Sequence, residues 1–263
     1  MTKQQFTKAL LEININISEE QLNKFDIYYK TLVEWNEKMN LTAITKEDEV
    51  YEKHFYDCLL ASTMIDFSDQ SIVDIGAGAG FPSIPLKIIF PNLKITIVDS
   101  LNKRIIFLKE LINRLQIENV TAISGRAEEF ALNNREKYDI ATGRAVARLN
   151  ILDELCLPLV KKNGYFLALK GKQGLEEAEE AKKGIDILGG KELNIKKYEL
   201  SSEHSTRYLL LYKKVNKTPI KYPRSFGQIK KKPLWGGKSS GERYQRDYSW
   251  FNNVESTSTK TKF

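Results

Sequence analysis

Three glycines separated by single residues stand directly after a short apolar run. The stretch from Ile72 to Ser83 reads IVDIGAGAGFPS, and Gly76, Gly78 and Gly80 form a G-x-G-x-G pattern followed by Phe81. Glycines between a strand and a helix let the backbone turn sharply and approach a ligand where any Cβ would collide. The spacing differs from the G-x-G-x-x-G of dinucleotide-binding folds, because Phe81 stands at the position of the third glycine of that pattern. A ligand-free glycine turn is the alternative reading.

An acidic residue two positions before the glycines completes the pattern. Asp74 followed by G-x-G-x-G resembles motif I of S-adenosylmethionine-dependent methyltransferases, which implies S-adenosylmethionine as the cofactor. A bound nucleoside needs an acid at the end of the next strand to accept hydrogen bonds from its ribose. Asp99 ends the strand-like run KITIVD, 21 residues after Gly78, and meets this requirement. Asp99 can also cap the helix that begins at Leu101.

Two further loops carry candidate site residues. In SGRAEEF, after the third strand, Ala127 and Glu128 are candidates for the adenine edge, although acids there are also common at helix starts. In ATGRAVARL, after the fourth strand, Arg144 and Arg148 present guanidinium groups that suit a polyanion or a base acceptor edge. Pairing with surface acids is the alternative for both. This loop has no Pro-Pro-aromatic motif and no cysteine, which disfavours chemistry on base amines and on pyrimidine carbons.

The elements that must position these residues alternate along the chain. Helical spacing predicts a helix over Ser18 to Lys38, with a Ser18–Gln21 capping box, and a second helix from Thr45. Further strands and helices then follow in this order: Ser71–Ile75 (strand), Pro82–Phe90 (helix), Lys94–Val98 (strand), Leu101–Leu115 (helix), Val120–Ile123 (strand), Tyr138–Thr142 (strand), Leu149–Val160 (helix), Tyr165–Leu169 (strand), Gly174–Leu188 (helix), Leu193–Glu199 (strand) and Arg207–Lys213 (strand).

This alternation predicts an α/β chain with a sheet covered by helices on both faces. With motif I it predicts a Rossmann-like class I S-adenosylmethionine methyltransferase fold: a mostly parallel seven-stranded sheet with an N-terminal helical cap. The last two strands form a hairpin because no helix separates them. We expect residues 1–66 to form the cap, 67–215 the cofactor-binding core, 216–234 a basic RNA-contacting segment and 235–263 a flexible extension.

The positive charge of the chain is concentrated after the core. The net charge is +7, yet Lys213 to Lys232 alone holds eight basic residues and no acidic one. Aromatic residues and prolines interrupt these charges, as in a nucleic-acid-binding arm, and a solubilising tail is the alternative. The two cysteines, Cys58 and Cys156, form neither a disulfide framework nor a metal cluster. With no signal sequence and no long apolar run, we expect a cytoplasmic protein without a membrane span.

Several motifs together resemble the bacterial 16S ribosomal RNA guanine-N7 methyltransferase family, also called glucose-inhibited division protein B. The resemblance extends from about Phe6 to Leu234. It is carried by LVEWNEKMNLTAIT, KHFYDCL, VDIGAGAGFPSIPLKI, VDSLNKRIIFL, GRAEEF, GRAVARL, ALKG and TPIKYPR. Gly143 departs from the usual Ala or Ser of the family, and Trp235 to Phe263 continues past its usual end.

The resemblance implies S-adenosylmethionine contacts at Gly76, Phe81, Ala127, Glu128 and Arg144. Gly78, Gly80 and Asp99 join them from the nucleotide-binding argument. Arg144 and Lys170 are candidate catalytic residues, with Arg144 in a positioning role. The candidate RNA contacts are His54, Arg148, Lys221, Arg224, Lys230, Lys231 and Lys232; for His54 a buried, hydrogen-bonded histidine is the alternative.

The implied reaction is methylation of N7 of a specific guanine in 16S rRNA or the small ribosomal subunit. Guanine N7 is an unprotonated acceptor on the Hoogsteen edge, so it attacks a sulfonium methyl without a general base. The alternative is a methyltransferase of the same fold that acts on another RNA base or on a small molecule. We expect a monomer that requires no metal.

Overall fold

The computed structural model describes residues 1–201 and 204–234; the predicted extension from Trp235 to Phe263 lies outside the described residues. The helices are α1 (Lys3–Glu12), α2 (Glu19–Met39), α3 (Glu47–Val50), α4 (Asp57–Leu59), α5 (Ser83–Ile89), α6 (Asn102–Leu115), α7 (Ala127–Asn133), α8 (Leu149–Cys156), α9 (Gly174–Ile187) and α10 (Phe226–Lys231). The strands are β1 (Ser71–Ile75), β2 (Lys94–Asp99), β3 (Val120–Ser124), β4 (Tyr138–Arg144), β5 (Val160–Lys170), β6 (Gly190–Leu200) and β7 (Ser205–Lys214).

The seven strands form one sheet in the order β3-β2-β1-β4-β5-β7-β6. Strands β1 to β5 run parallel, whereas β7 pairs antiparallel with both β5 and β6. The predicted fold class and the terminal hairpin are thus confirmed. The strand order reverses between β1 and β4, and in open α/β sheets ligands bind at such a reversal, outside the carboxyl ends of the strands.

Apolar side chains on both faces of the sheet explain its double covering. Ile72 points into a cluster beneath the N-terminal helices, α5 and α6, and Val73 points into a cluster beneath α8 and α9. Both are fully buried, as expected for a parallel sheet enclosed by helices.

The N-terminal helices pack on the first face through a group of aromatic rings. Phe25 lies 4.9 Å from Phe55 and 5.3 Å from Phe6, measured between ring centroids. The expected Ser18–Gln21 capping box is present, and the Gln21 side chain also donates to the carbonyls at the end of α5. These contacts fasten the helical cap to the first face of the sheet.

Local details differ from the sequence prediction where tertiary contacts decide the backbone. The second predicted helix starts at Glu47 and becomes π-helical over Tyr51–Tyr56. The predicted helix Leu149–Val160 ends at Cys156 and continues as a 3-10 turn, since Pro158 cannot extend it, and Val160 already belongs to β5. Helices α1, α7 and α10 are additional to the prediction.

Candidate functional site

The glycine loop lies between β1 and α5, at the reversal of strand order. Gly78 has a φ of +60°, and no atom lies within 4 Å of where its Cβ would be, so the loop opens into free space there. Gly80 has a φ of +100°, and a Cβ would come within 2.9 Å of the Tyr28 hydroxyl. Asp74 is fully buried beneath the loop and accepts the backbone N–H of Ser83 at 3.1 Å. Gly78 is therefore required by its backbone angle, and Gly80 by its backbone angle and by the lack of space for a Cβ.

Asp99 stands at the end of β2, directly beside the glycine loop. One carboxylate oxygen accepts the N–H of Gly78 at 3.2 Å and lies 3.2 Å from Arg104. The other accepts the N–H of Leu101 at 2.9 Å, so the alternative capping interaction is also present. Asp99 thus fixes the distance between the glycine loop and the start of α6.

Three neighbouring cavities open at this end of the sheet. The first, here called the slot, is lined by Ile75, Gly76, Val98, Asp99, Ser100, Arg104, Gly125, Arg126, Ala127, Glu128, Val146, Ala147, Leu155 and Phe226. The second, the glycine cavity, has a volume of about 230 Å³ and is lined by Leu41, Thr42, His54, Gly76, Ala77, Gly78, Ala79, Phe81, Arg104, Arg144 and Ala145. The third, the polar cavity, has a volume of about 260 Å³ and is lined by Asp57, Arg144, Ala145, Val146, Ala147, Arg148, Leu169, Lys170, Gly171, Glu177, Tyr198 and Arg207.

The loop after β4 joins the three cavities. Arg144 and Ala145 line both the glycine cavity and the polar cavity, and Val146 and Ala147 line both the slot and the polar cavity. The sequence prediction therefore identified a segment that the structure brings to the centre of the site. A ligand in the slot and a ligand in the polar cavity would be separated only by this loop.

Arg144 is held by the helical cap. Its guanidinium donates to Asp57 and to the carbonyl of Lys53, each at 3.1 Å, and lies 4.6 Å above the centre of the Phe81 ring. Asp57 is 3 % exposed and its second oxygen accepts the hydroxyl of Tyr198 at 2.6 Å. The cation is thus paired and oriented before any ligand arrives.

His54 belongs to the same group of contacts. Its Nδ1 lies 3.2 Å from Arg144 and its Nε2 lies 2.9 Å from the Thr42 hydroxyl. The same Nδ1 also lies 3.2 Å from the carbonyl of Lys53, so a donor and an acceptor both face it. Burial, reinforced by the charge of Arg144, lowers the pKa of His54 to about 3. The structure therefore favours the buried, neutral histidine, and RNA contact by His54 stays a prediction.

Two further cations of the polar cavity have acidic partners. Lys170 is 8 % exposed, lies 2.8 Å from Glu177 and donates to the carbonyl of Ala147. Burial lowers the pKa of Lys170, although Glu177 opposes the shift. Arg148 pairs with Glu180 at 2.6 Å, so the acid-pair alternative holds for its geometry. Both side chains still line the cavity, and their roles toward RNA stay predictions.

Glu128 and Ala127 begin α7 on the wall of the slot. Glu128 is mostly buried and lies 3.7 Å from Arg126. Its position beside Asp99 in the lining of the slot is the one expected of an adenine-edge residue. Its contact with a cofactor stays a prediction.

Some cations of the stretch Lys213–Lys232 are buried or paired with acids within the protein. Lys214 is fully buried within 3.5 Å of Glu136, and Arg224 forms a 2.6 Å ion pair with Glu154, which is also fully buried. Arg224 therefore anchors the basic segment to α8, and its contact with RNA stays a prediction. Lys221, Lys231 and Lys232 are exposed and Lys230 is half-buried.

Several residues of the site were not predicted from the sequence, among them Asp57, Tyr198, Arg207 and Phe226. Asp57 lies in the quoted run KHFYDCL, which was the one available signal. Tyr198 and Arg207 are paired across β6 and β7, and Phe226 comes from the basic segment. Their approach to the site depends on the order of strands at the far edge of the sheet, which no local pattern specifies.

In the part of the chain that the structure describes, no three metal-binding side chains come together. None of the described helices is both long enough and apolar enough to cross a membrane.

Comparison with known proteins adds family evidence to this geometry. Residues 21–206 match the family model described as rRNA small subunit methyltransferase G (GidB). A curated relative from Oceanobacillus iheyensis, "Ribosomal RNA small subunit methyltransferase G", is 55 % identical over 89 % of this chain and 100 % of its own length. A relative of the same description from Bacillus subtilis is 53 % identical over 90 % of this chain and 100 % of its own length.

Among solved structures, a SAM dependent methyltransferase from Aquifex aeolicus superposes with a TM-score of 0.52 at 15 % sequence identity. The match covers 67 % of this chain and 97 % of that one. At this identity the likeness shows the shared fold.

Proposed function

Because this chain belongs to the rRNA small subunit methyltransferase G family, we propose that it transfers a methyl group from S-adenosylmethionine to N7 of one guanine in 16S rRNA of the small ribosomal subunit. The observation that carries the proposal is the meeting of three cavities at the loop Arg144–Ala147. Two of them suit the two ends of a nucleoside cofactor, and the third is polar and rich in cations.

The residues around the glycine loop fit S-adenosylmethionine. The open space at Gly78 is a cradle that any Cβ would fill, and Asp99 offers carboxylate oxygens to a ribose. Glu128 and the backbone of Ala127 line the slot, where an adenine edge would be bound. When bound, the cofactor supplies a methyl group on a positively charged sulfur.

Arg144 suits a positioning role beside such a cation because Asp57 already neutralises it. The ion pair adds no net positive charge near a sulfonium or near a methylated, cationic guanine. At the same time the guanidinium remains fixed by four contacts, to Asp57, the Lys53 carbonyl, His54 and the Phe81 ring. A fixed group can hold the reacting atoms in line, and such orientation accounts for a large part of the rate in a reaction without a general base.

The polar cavity suits the nucleotide that accepts the methyl group. Among the described residues, no carboxylate lies within ion-pair distance of Arg207, whereas Arg144, Arg148 and Lys170 are each paired. An unneutralised guanidinium favours a phosphate or a base acceptor edge. Because side chains cannot read the deep major groove of A-form RNA, the guanine must come from a loop or be flipped out.

The available side chains favour N7 over other base atoms. Cys58 and Cys156 are fully buried, and burial raises the pKa of both thiols, so neither offers the thiolate that attack on a pyrimidine carbon requires. His54 is hydrogen-bonded through both ring nitrogens. An acceptor that needs no deprotonation fits these surroundings.

The test is methyl transfer from labelled S-adenosylmethionine to small ribosomal subunits and to naked 16S rRNA, both prepared without this modification. We expect label on one guanine, and strand cleavage there after borohydride reduction and aniline treatment, which reports N7-methylguanosine. The Gly78→Val variant is the matched control. Label on another atom or base, or transfer to small molecules alone, would support the alternative activities and contradict this one.

A further inference from the structure

The basic segment, residues 216–234, crosses the molecule and contributes a wall of the slot. It begins beside the loop after α9, where Val215 donates to the carbonyl of Gly189. Arg135 then donates to the carbonyls of Thr218 and Tyr222. At the carboxyl end of the sheet, Phe226 lines the slot together with Asp99 and Glu128.

Two anchors hold Phe226 in this place. On one side, the guanidinium of Arg224 makes a two-pronged contact with Glu154 of α8, at 2.6 and 2.9 Å. On the other side, Ile229 is fully buried in the core beneath α8. A capping box between Ser225 and Gln228 fixes the start of α10 directly beside Phe226. The position of the Phe226 ring is therefore fixed by contacts on both sides of it in the chain.

Phe226 is the one aromatic ring among the described residues that line the slot. Its apolar companions are aliphatic, including Ile75, Val98 and Leu155, while Asp99 and Glu128 supply carboxylates. A slot with apolar walls and polar groups at its edge suits a flat heteroaromatic ring with hydrogen-bonding nitrogens.

We propose that Phe226 packs against the adenine ring of the cofactor, so that the RNA-contacting segment also completes the cofactor site. This inference rests on the proposed function, because it assumes a cofactor that contains adenosine. Its consequence is that α10 serves both ligands: Phe226 faces the cofactor, and the exposed Lys231 lies five positions further along the chain.

The test is calorimetry of the full-length protein with S-adenosylmethionine, S-adenosylhomocysteine and 5′-methylthioadenosine. These three share the adenosine group and differ at the sulfur and its substituents. Removal of a base-stacking ring weakens binding by about fivefold to more than a hundredfold. We expect Phe226→Ala to raise all three dissociation constants by a similar factor of about ten or more. Phe226→Leu should give a smaller loss and Phe226→Tyr almost none.

Gly227→Ala is the matched control, since nothing lies within 4 Å of its Cβ position and it belongs to the same helix. We expect its dissociation constants to equal those of the wild type. A folded Phe226→Ala or Phe226→Leu protein that binds all three ligands like the wild type would overturn the inference. So would an equal loss in Gly227→Ala, or a loss confined to one ligand. A wild-type protein that binds none of the three would remove the proposed function itself.

Discussion

Arg144, at the end of β4, joins the sheet to the helical cap through its contacts with Asp57 and Lys53. Replacement by Ala leaves Asp57 buried without its cation, and breaking a buried pair in this way costs about 3–5 kcal/mol. We expect Arg144→Ala to lower both the unfolding midpoint and the rate of methyl transfer, the latter at least tenfold, the effect of about 1.4 kcal/mol.

Arg144→Lys separates the two effects. It keeps a positive charge near Asp57 but loses the planar fork that reaches Lys53 and His54. Stability should recover in large part while single-turnover methyl transfer stays low. Full activity of Arg144→Lys would show that charge alone suffices.

Gly78 gives a prediction that separates binding from folding. A valine there has a branched side chain at a φ of +60° and places its methyl groups in the open space of the loop. We expect Gly78→Val to abolish S-adenosylmethionine binding, measured by calorimetry. Gly171→Val is the control, because its Cβ position is equally open and it lies outside the glycine loop. Unchanged affinity in a folded Gly78→Val protein would remove the loop from the cofactor site.

His54 gives a pH-dependent contribution to stability. Its pKa is about 3 in the folded protein, against 6.5 for an ordinary histidine. Between these values the unfolded chain binds one more proton, so the contribution is complete above about pH 6.5 and is lost as the pH falls toward 3.

We therefore expect the difference in unfolding free energy between the wild type and His54→Gln to shrink between pH 7.5 and pH 4.5. The chain offers a matched control in His204→Gln, at its only other histidine, which is exposed. Urea unfolding at several pH values provides the measurement. A difference that stays constant for His54→Gln would show that the ring takes up its proton in the folded state.

At the scale of elements, one ion pair fastens the C-terminal segment to α8. Arg224→Ala would leave the fully buried carboxylate of Glu154 without its guanidinium. We expect a loss of about 3–5 kcal/mol in unfolding free energy, measured by urea denaturation. Lys221→Ala, at an exposed position three residues earlier, should leave the midpoint unchanged. Equal midpoints for the two variants would contradict the anchoring role of Arg224.

Sequence analysis recovered all seven strands and the helices α2, α5, α6, α8 and α9. The strands β1 to β5 and the helices α2, α6 and α9 are recognisable by regular patterns of apolar residues. Helix α10 has six residues and one buried side chain, Ile229, so its pattern is too short to recognise. The π-helical turn at Tyr51–Tyr56 contains the buried His54, whose neighbour Arg144 lies 90 residues further along the chain.

The candidate site divides in the same way. The glycine loop and Asp99 can be recognised from the spacing of residues in the sequence. Each stands at the carboxyl end of a strand, and parallel strands place their carboxyl ends together. Tyr198, Arg207 and Phe226 reach the site through the antiparallel edge β5-β7-β6 and the segment that follows it. Their positions require the complete topology, which the local sequence does not contain.

At the scale of the whole molecule, the lysines at the end of the C-terminal segment should bind RNA phosphates. Each phosphate contact releases counterions and adds about 0.7 to 0.9 to the slope of log K against log salt. We expect Lys230→Ala, Lys231→Ala and Lys232→Ala combined to flatten this slope by about two to three units. Cofactor affinity should not change, because none of the three side chains lines the slot.

A double change of Lys162 and Lys191 to Ala is the matched control. Both are exposed and lie near the starts of β5 and β6, at the opposite end of the sheet from the cavities. Salt-dependent RNA binding by the two variants is the comparison. A flatter slope in the control than in the triple variant would place the RNA surface near the starts of β5 and β6 and contradict the prediction.

The contacts of Asp57 also have a consequence for the order in which the protein is made. Asp57 precedes Arg144 by 87 residues and Tyr198 by 141. At synthesis rates of about 5–20 residues per second, the nascent N-terminal helices wait roughly 7 to 30 seconds for Tyr198 to be translated. Arg144 is translated 54 residues before Tyr198, so until then the carboxylate of Asp57 lacks the second of its two partners. The contacts of Asp57 that hold the helical cap to the sheet are therefore complete only after residue 198 of 263 has been translated.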